Sequence, residues 1–208
     1  AGEKMRNVLA AMTSNSFKRV LTGLFITSII QSSSATTVMV VSFVNAGLLT
    51  LTQSVGVIMG ANIGTTVTAW IISLLGFKFD ISMFSIPLVG FGFVLMMFKS
   101  RKKKSLGELI IGFALLFLGL TFLKDSVPDL KSNPEIFAFL QQWTNFGFGS
   151  VLIFVLIGTI LTMIMQSSSA TMALTLVMAS YGWIPFELAA AMVLGENIGT
   201  TITISFKE

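Results

Sequence analysis

The sequence contains no cysteine and no histidine. Without cysteine there is no disulfide and no thiolate metal site. Without histidine the chain lacks the commonest proton shuttle and metal ligand. Charge is scarce too: Asp, Glu, Lys and Arg make up 11% of the 208 residues, where soluble domains carry about a quarter. Residues 20–77 contain no charged side chain at all. These shortages exclude a disulfide-stapled secreted domain and an ordinary soluble core. What remains is apolar, at 54% hydrophobic residues and a mean hydropathy of +0.89. The hydrophobicity runs along the whole length, as in a membrane protein. The net charge of +4 comes from basic residues between apolar segments, so it bears on membrane orientation and not on nucleic-acid binding. No cleavable signal peptide is visible, because a polar, charged stretch precedes the first apolar run. A first residue that is not Met and a stop one residue after Lys207 read as the ends of a piece of a longer protein.

The polar residues are concentrated in two repeated blocks. Gln31-Ser32-Ser33-Ser34-Ala35-Thr36 returns as Gln166 to Thr171, 135 positions later. The same offset relates Gly60-Ala61-Asn62-Ile63-Gly64-Thr65-Thr66 to Gly195-Glu196-Asn197-Ile198-Gly199-Thr200-Thr201. Laid on 156–205 without a gap, residues 21–70 show eighteen identities in fifty. Chance does not hold two separated motifs in one register. The chain is two copies of one unit, each with a polar knot inside apolar sequence.

Residues 1–19 read as an amphipathic interfacial segment or as the tail of a missing upstream helix. Residues 20–77 are too many for one span of about 20 residues, so they must fold back. The arms 20–30 and 38–44 are each too short to cross at about 1.5 Å per residue. They predict a re-entrant helical hairpin over 20–47, with a polar tip at the midplane, where irregular backbone is tolerated only inside protein or along a cavity. A transmembrane helix over 51–77 follows, with its glycines and small polar residues at 60–66 predicting a break. Spans are expected at 81–98, kinked by Pro87 and Gly90, and at 109–123, separated by the basic loop Lys99–Lys104. The linking region is 78–134, and an interfacial segment is expected over 136–148. The second unit occupies 135–206, with a hairpin over 151–181 and a broken helix over 186–206. A hairpin counts as no crossing, and three spans lie between the two hairpins, so the second unit should be inserted upside down. The basic loop should be cytoplasmic. The expected fold is an all-α membrane protein of two inverted-topology repeats, each a re-entrant hairpin plus a broken transmembrane helix, with two linking transmembrane helices. Secondary transporters commonly share this plan.

At each tip a helix begins, so the N–H groups of Ser33, Ser34 and Ala35, and of Ser168, Ser169 and Ala170, should lack intrahelical partners. With the positive end of the helix dipole and the hydroxyls of Ser32–Ser34 and Ser167–Ser169, they suit a small oxyanion. Gln31 and Gln166 add amides that donate to an anion or accept a cation. The same serines would also serve close helix packing. Unwinding at Asn62-Ile63-Gly64-Thr65-Thr66 and Asn197-Ile198-Gly199-Thr200-Thr201 would free carbonyls beside Asn and Thr oxygens, a hard-oxygen set for an alkali cation. The plain alternative is a glycine kink whose polar side chains repair the backbone. Glu196 stands where the first copy has Ala61. It is either a cation ligand or switch, or a protonated structural glutamate. Neither knot contains Lys, Arg or His. Helix ends supply only about half a charge each, so co-bound cations must neutralise an anion held there, and symport follows. A passive channel and a serine hydrolase are the other classes; the second lacks any base near its serines.

The doubled blocks resemble those of the type II sodium–phosphate cotransporter family, over roughly residues 5–206. The resemblance implies sodium-driven symport of inorganic phosphate by alternating access, in uptake or efflux, with no enzymatic activity and no cofactor beyond the co-transported sodium. It implies phosphate at Ser32, Ser33, Ser34, Ser167, Ser168 and Ser169. Sodium or substrate would be held by Gln31, Gln166, Asn62, Thr65, Thr66, Asn197, Thr200 and Thr201, to which its place as an acidic residue deep inside an apolar span adds Glu196. Partners are then phosphate, sodium and the lipid bilayer of a plasma or inner membrane, with no nucleic acid and a homodimer left open. Another small anion or polar solute is the alternative cargo.

Overall fold

The computed structural model describes residues 2–78, 81–126 and 142–205. Helix α1 (Gly2–Met12) turns into α2 (Ser16–Ile30), then α3 (Ser33–Asn45) and α4 (Leu51–Ile71). A π-helical stretch, Ile72–Lys78, and a 3-10 turn, Ile81–Phe84, lead to α5 (Ser85–Met96) and α6 (Arg101–Ser126). The second unit is α7 (Phe148–Met165), α8 (Ser168–Ser180) and α9 (Phe186–Ser205). Among the described residues three helical stretches, Leu51–Phe77, Arg101–Ser126 and Phe148–Met165, are long and apolar enough to cross a membrane.

Local signals set the boundaries. Asn15 caps α2 by accepting from the Lys18 N–H at 2.8 Å. Thr50 and Gln53 form a reciprocal capping box at the start of α4, which satisfies two N–H groups that the first turn leaves over. Gly47 and Gly182, again 135 apart, follow the ends of α3 and α8 with φ of +66° and +75°, a conformation glycine adopts without a Cβ penalty.

In each unit the first arm lies along the long helix, α2 on α4 and α7 on α9, while α5 pairs with α6. The units interlock: α3 packs on α9 and α8 on α4. Glycine allows the close approach. A methyl group on Gly23 would strike the Val57 carbonyl, and one on Gly60 the Val20 carbonyl. Gly158 and Gly195 stand in the same way against Met192 and Val155. The interior between these helices is hydroxyl-rich, with Thr22, Thr27, Thr36, Thr65, Thr159, Thr162 and Thr171 all buried. Large apolar side chains such as Phe25, Ile29, Trp70 and Ile164 face outward. Small and hydroxyl residues inside with apolar ones outside is how helices pack in lipid.

Several expectations give way here. α4 and α9 are continuous through Gly60–Thr66 and Gly195–Thr201. Gly60 and Gly64 are four apart, as are Gly195 and Gly199, so each pair falls on one helix face and serves packing; the helix has no reason to break there. The departure from α geometry comes later, at Ile72–Lys78, where the helix widens to π. Lys124 of α6 donates to the Gly76 carbonyl and lies over the Phe77 ring, closing that end. Residues 1–19 are not one interfacial segment: the chain turns at Thr13–Asn15, and Thr13 is buried. There the Thr13 hydroxyl accepts from Gln53 of α4 at 2.9 Å. Pro87 sits in the first turn of α5, where a missing N–H costs no helical bond, so it opens a 12-residue helix instead of kinking a longer span. Arg101–Lys104 form the first turn of α6 and not a loop. The expected second arm starts at Ser33, so the break at the first tip is only Gln31 and Ser32. The expected segment 136–148 lies outside the described residues as far as 141.

Candidate functional site

The site grows from two helix stops. Gln31 and Gln166 terminate α2 and α7 in the left-handed region, at φ of 57° and 52°. They are the two non-glycine residues with positive φ among the described residues. A left-handed residue reverses the chain without a longer loop. One extended residue follows, Ser32 or Ser167, and then α3 or α8 begins. The Ser32 hydroxyl accepts from the Ala35 N–H at 3.2 Å, and the Ser167 hydroxyl from the Ala170 N–H at 3.3 Å. These two serines are N-caps, and the Ala35 and Ala170 N–H groups are therefore occupied, contrary to the sequence expectation. By helix geometry the first-turn donors left over belong to Ser33, Ser34, Ser168 and Ser169.

The two tips meet. Ser33 Oγ lies 3.3 Å from Ser168 Oγ, across 135 positions of chain. Ser33 is buried, while Ser34, Ser168 and Ser169 are half-buried. Behind each tip a threonine pair ties the arms together. Thr27 bonds Thr36 at 2.9 Å, and Thr162 bonds Thr171 at 3.2 Å. Gln31 is held from both ends, since its amide donates to the Ser28 carbonyl and its oxygen accepts from Thr68 of α4. A cavity of about 310 Å³ opens beside the second tip, with Thr68 and Ser169 its polar residues and Ile72, Leu120 and Leu123 among its apolar walls.

The second pair of blocks looks different from the expectation. Thr65 donates to the Ala61 carbonyl, Thr66 to Ile63, Thr200 to Glu196 and Thr201 to Asn197. These are bonds to the helix's own backbone, so α4 and α9 free no carbonyls for a cation there. Asn62 and Asn197 are half-buried on the same helices. Glu196 is fully buried. Its Oε1 accepts from the Thr175 hydroxyl at 2.8 Å, and its Oε2 has no partner among the described residues. Among those residues no cluster of three acidic, histidine or cysteine side chains could hold a metal ion.

Thr27, Thr68, Thr162 and Thr175 lie outside the repeated blocks, while Thr36 and Thr171 lie inside them without being expected as site residues. A signal for three of the four outside the blocks is in the repeat: Thr27 matches Thr162, and Thr68 matches Thr203, as isolated identities in the 135-residue register. Thr175 carries no such signal, because its counterpart is Val40.

An apolar exterior, a hydroxyl-lined interior and two capped helix starts meeting between the units define a helical, membrane-embedded protein. The comparison with known sequences takes this further. The chain belongs to the Na+/Pi-cotransporter family, whose profile matches residues 1–125 and 135–207; this is a family of membrane transporters. The relative from Salmonella typhimurium named "Putative inorganic phosphate export protein YjbB" is 29% identical over 200 residues, covering 96% of this chain and 35% of that protein. YqeW of Bacillus subtilis is 31% identical over 208 residues, covering 98% of this chain and 63% of that protein. The sheep sodium-dependent phosphate transport protein 2A is 43% identical over 65 residues, 31% of this chain and 10% of its own length. The chain thus spans about a third of YjbB. No solved structure matches.

Proposed function

We propose that this chain forms the substrate-translocating unit of a sodium-coupled phosphate transporter, and that α2–α3 and α7–α8 are two re-entrant hairpins of opposite orientation. The observation that carries the reading is the contact between Ser33 and Ser168. Two capped helix starts, each with first-turn N–H donors and hydroxyls, converge on one point from the two repeats. That is an oxyanion site built without a basic side chain. α2 has 15 residues, about 22 Å at 1.5 Å per residue, which is short of a hydrocarbon core of about 30 Å. α7, with 18 residues, is long enough to cross, and its stop at Gln166 in the same cap as Gln31 is what favours a hairpin for it too.

Phosphate is assigned to Ser33, Ser34, Ser168 and Ser169, with Ser32 and Ser167 holding the helix starts in place. Gln31 and Gln166 position the tips. Asn62, Thr65, Thr66, Asn197, Thr200 and Thr201 line the helices behind them, and Glu196 supplies the one acidic group. No Lys, Arg or His lies in either block, so an anion at the tips draws its counter-charge from bound cations, and co-transport follows. The relatives named for phosphate export favour outward movement of phosphate. The basic stretch Lys99–Lys104 is assigned to the cytoplasmic side. The test is the full chain in proteoliposomes with imposed sodium and phosphate gradients. Phosphate flux that follows the sodium gradient, in either direction, is expected; flux indifferent to sodium removes the coupling, and flux that never runs uphill leaves a passive channel.

A further inference from the structure

The two units differ at one place in their interiors. Val40 of α3 and Ala61 of α4 are buried apolar residues. At the same offset of 135 stand Thr175 of α8 and Glu196 of α9, and both are buried as well. The first unit shows that this packing closes with a valine and an alanine. The second unit places a carboxyl group there and leaves one of its oxygens without a partner among the described residues. A buried acidic group in that condition is costly, and local packing does not require it.

The surroundings indicate what offsets the cost. The helices packed on α9 are α7, α8 and α3, and none of them contains a charged residue. On α9 the other charged residue among those described is Glu187, which is exposed. Among the described residues, Glu196 therefore has no counter-charge from α3, α7 or α8. Its one polar contact among the described residues is the Thr175 hydroxyl, which in turn reaches the Thr171 carbonyl. Thr175 Oγ1 is 2.8 Å from Glu196 Oε1 and 3.1 Å from the Thr171 carbonyl. One hydroxyl proton cannot serve both acceptors fully. A cation on the carboxylate and the Thr175 lone pair would resolve the competition by leaving that proton to the Thr171 carbonyl. An all-oxygen set suits a hard cation. A single negative charge suits a monovalent one, since a divalent ion would leave a buried positive excess.

We propose that Glu196 and Thr175, with the Thr171 carbonyl beside them, bind one alkali cation, and that this site exists in the second unit only. The inference rests on the cation-coupled reading above and sharpens it, because it places one ion at a position with no twin. Thr171 belongs to the second tip block and begins three residues after Ser168, so the ion is linked to the phosphate tip through α8.

The experiment is thermal unfolding of the full chain in detergent without phosphate, titrated with sodium, lithium, potassium or choline chloride. The key variant, Thr175→Val with Glu196→Ala, rebuilds the pair that the first unit already packs. Wild-type protein should gain roughly 5–10 °C in Tm when sodium exceeds Kd about 100-fold. The double variant should melt cooperatively in choline and lose that gain. Glu196→Gln, which keeps the shape, is the second variant should the first not fold, and it should lose the gain as well. A sodium response retained in a folded variant overturns the site, and so does a wild type that responds to no alkali cation. If the variants lose sodium binding while wild-type phosphate flux proves independent of sodium, the site stands and the symport reading falls. If flux is sodium-driven and the variants still bind sodium, only the site falls.

Discussion

At the residue scale, the serines of each block divide into two roles that look identical in the sequence. Ser32 and Ser167 cap their helices, whereas Ser33 and Ser168 face each other. Replacing a cap by alanine should cost about 1 kcal/mol of stability and lower Tm by a few degrees, with phosphate affinity changed only indirectly. Ser33→Ala and Ser168→Ala should leave the melting temperature nearly unchanged and weaken phosphate binding roughly fivefold each, the worth of one hydrogen bond. Isothermal titration beside thermal melts separates the two pairs; equal behaviour of all four serines would reduce the tips to packing. The block was legible as a polar knot, but the division of labour was not. N-cap geometry depends on which residue takes the extended conformation, and three consecutive serines do not reveal that.

At the element scale, the glycine blocks are the instructive case. Gly and Asn in an apolar span invite a break by propensity, yet α4 and α9 run straight through. Glycine is needed there for approach: at Gly60 and Gly195 any Cβ meets a backbone carbonyl of the neighbouring arm. Backbone cannot swing aside as a flexible side chain does. Gly60→Ala and Gly195→Ala should therefore each destabilise by about 1–3 kcal/mol or more. Gly112→Ala is the control, since nothing stands within 4 Å of its Cβ position; it should be neutral or stabilising by about 0.5–1 kcal/mol. Urea or thermal unfolding in detergent measures all three. A mild effect at Gly60 and Gly195 would mean the arms are looser than the structure has them. Spacing of four residues was present in the sequence as Gly60/Gly64 and Gly195/Gly199. The same letters describe a hinge and a packing seam, and only the position of the partner helix separates those readings.

At the scale of the whole molecule, the interlocking of α3 with α9 and α8 with α4 holds the two tips against each other. These 208 residues contain no cysteine, so a designed pair in them has no background. Ser33→Cys with Ser168→Cys should form a disulfide under mild oxidation, seen as a mobility shift on non-reducing gels, and oxidation should arrest phosphate flux that reduction restores. Failure to cross-link in the membrane would place the tips apart. Sidedness is a separate matter: Ser100→Cys should be labelled by an impermeant maleimide from the cytoplasmic face if the basic stretch lies there, and labelling from the opposite face would invert the assigned orientation.

Composition and repeat, read alone, determined that the chain is a helical membrane protein made of two related units, and where the polar blocks interrupt them. Those conclusions need only local quantities: hydropathy over a window, identity at one offset, the absence of thiol and imidazole. Tertiary structure decided that the two serine tips touch, that the glycine helices stay whole, and that Glu196 shares its buried place with Thr175. Each of these depends on residues far apart in the chain being brought within a few ångströms. A sequence states which groups are present, but the distance between Ser33 and Ser168 is set by how four helices cross.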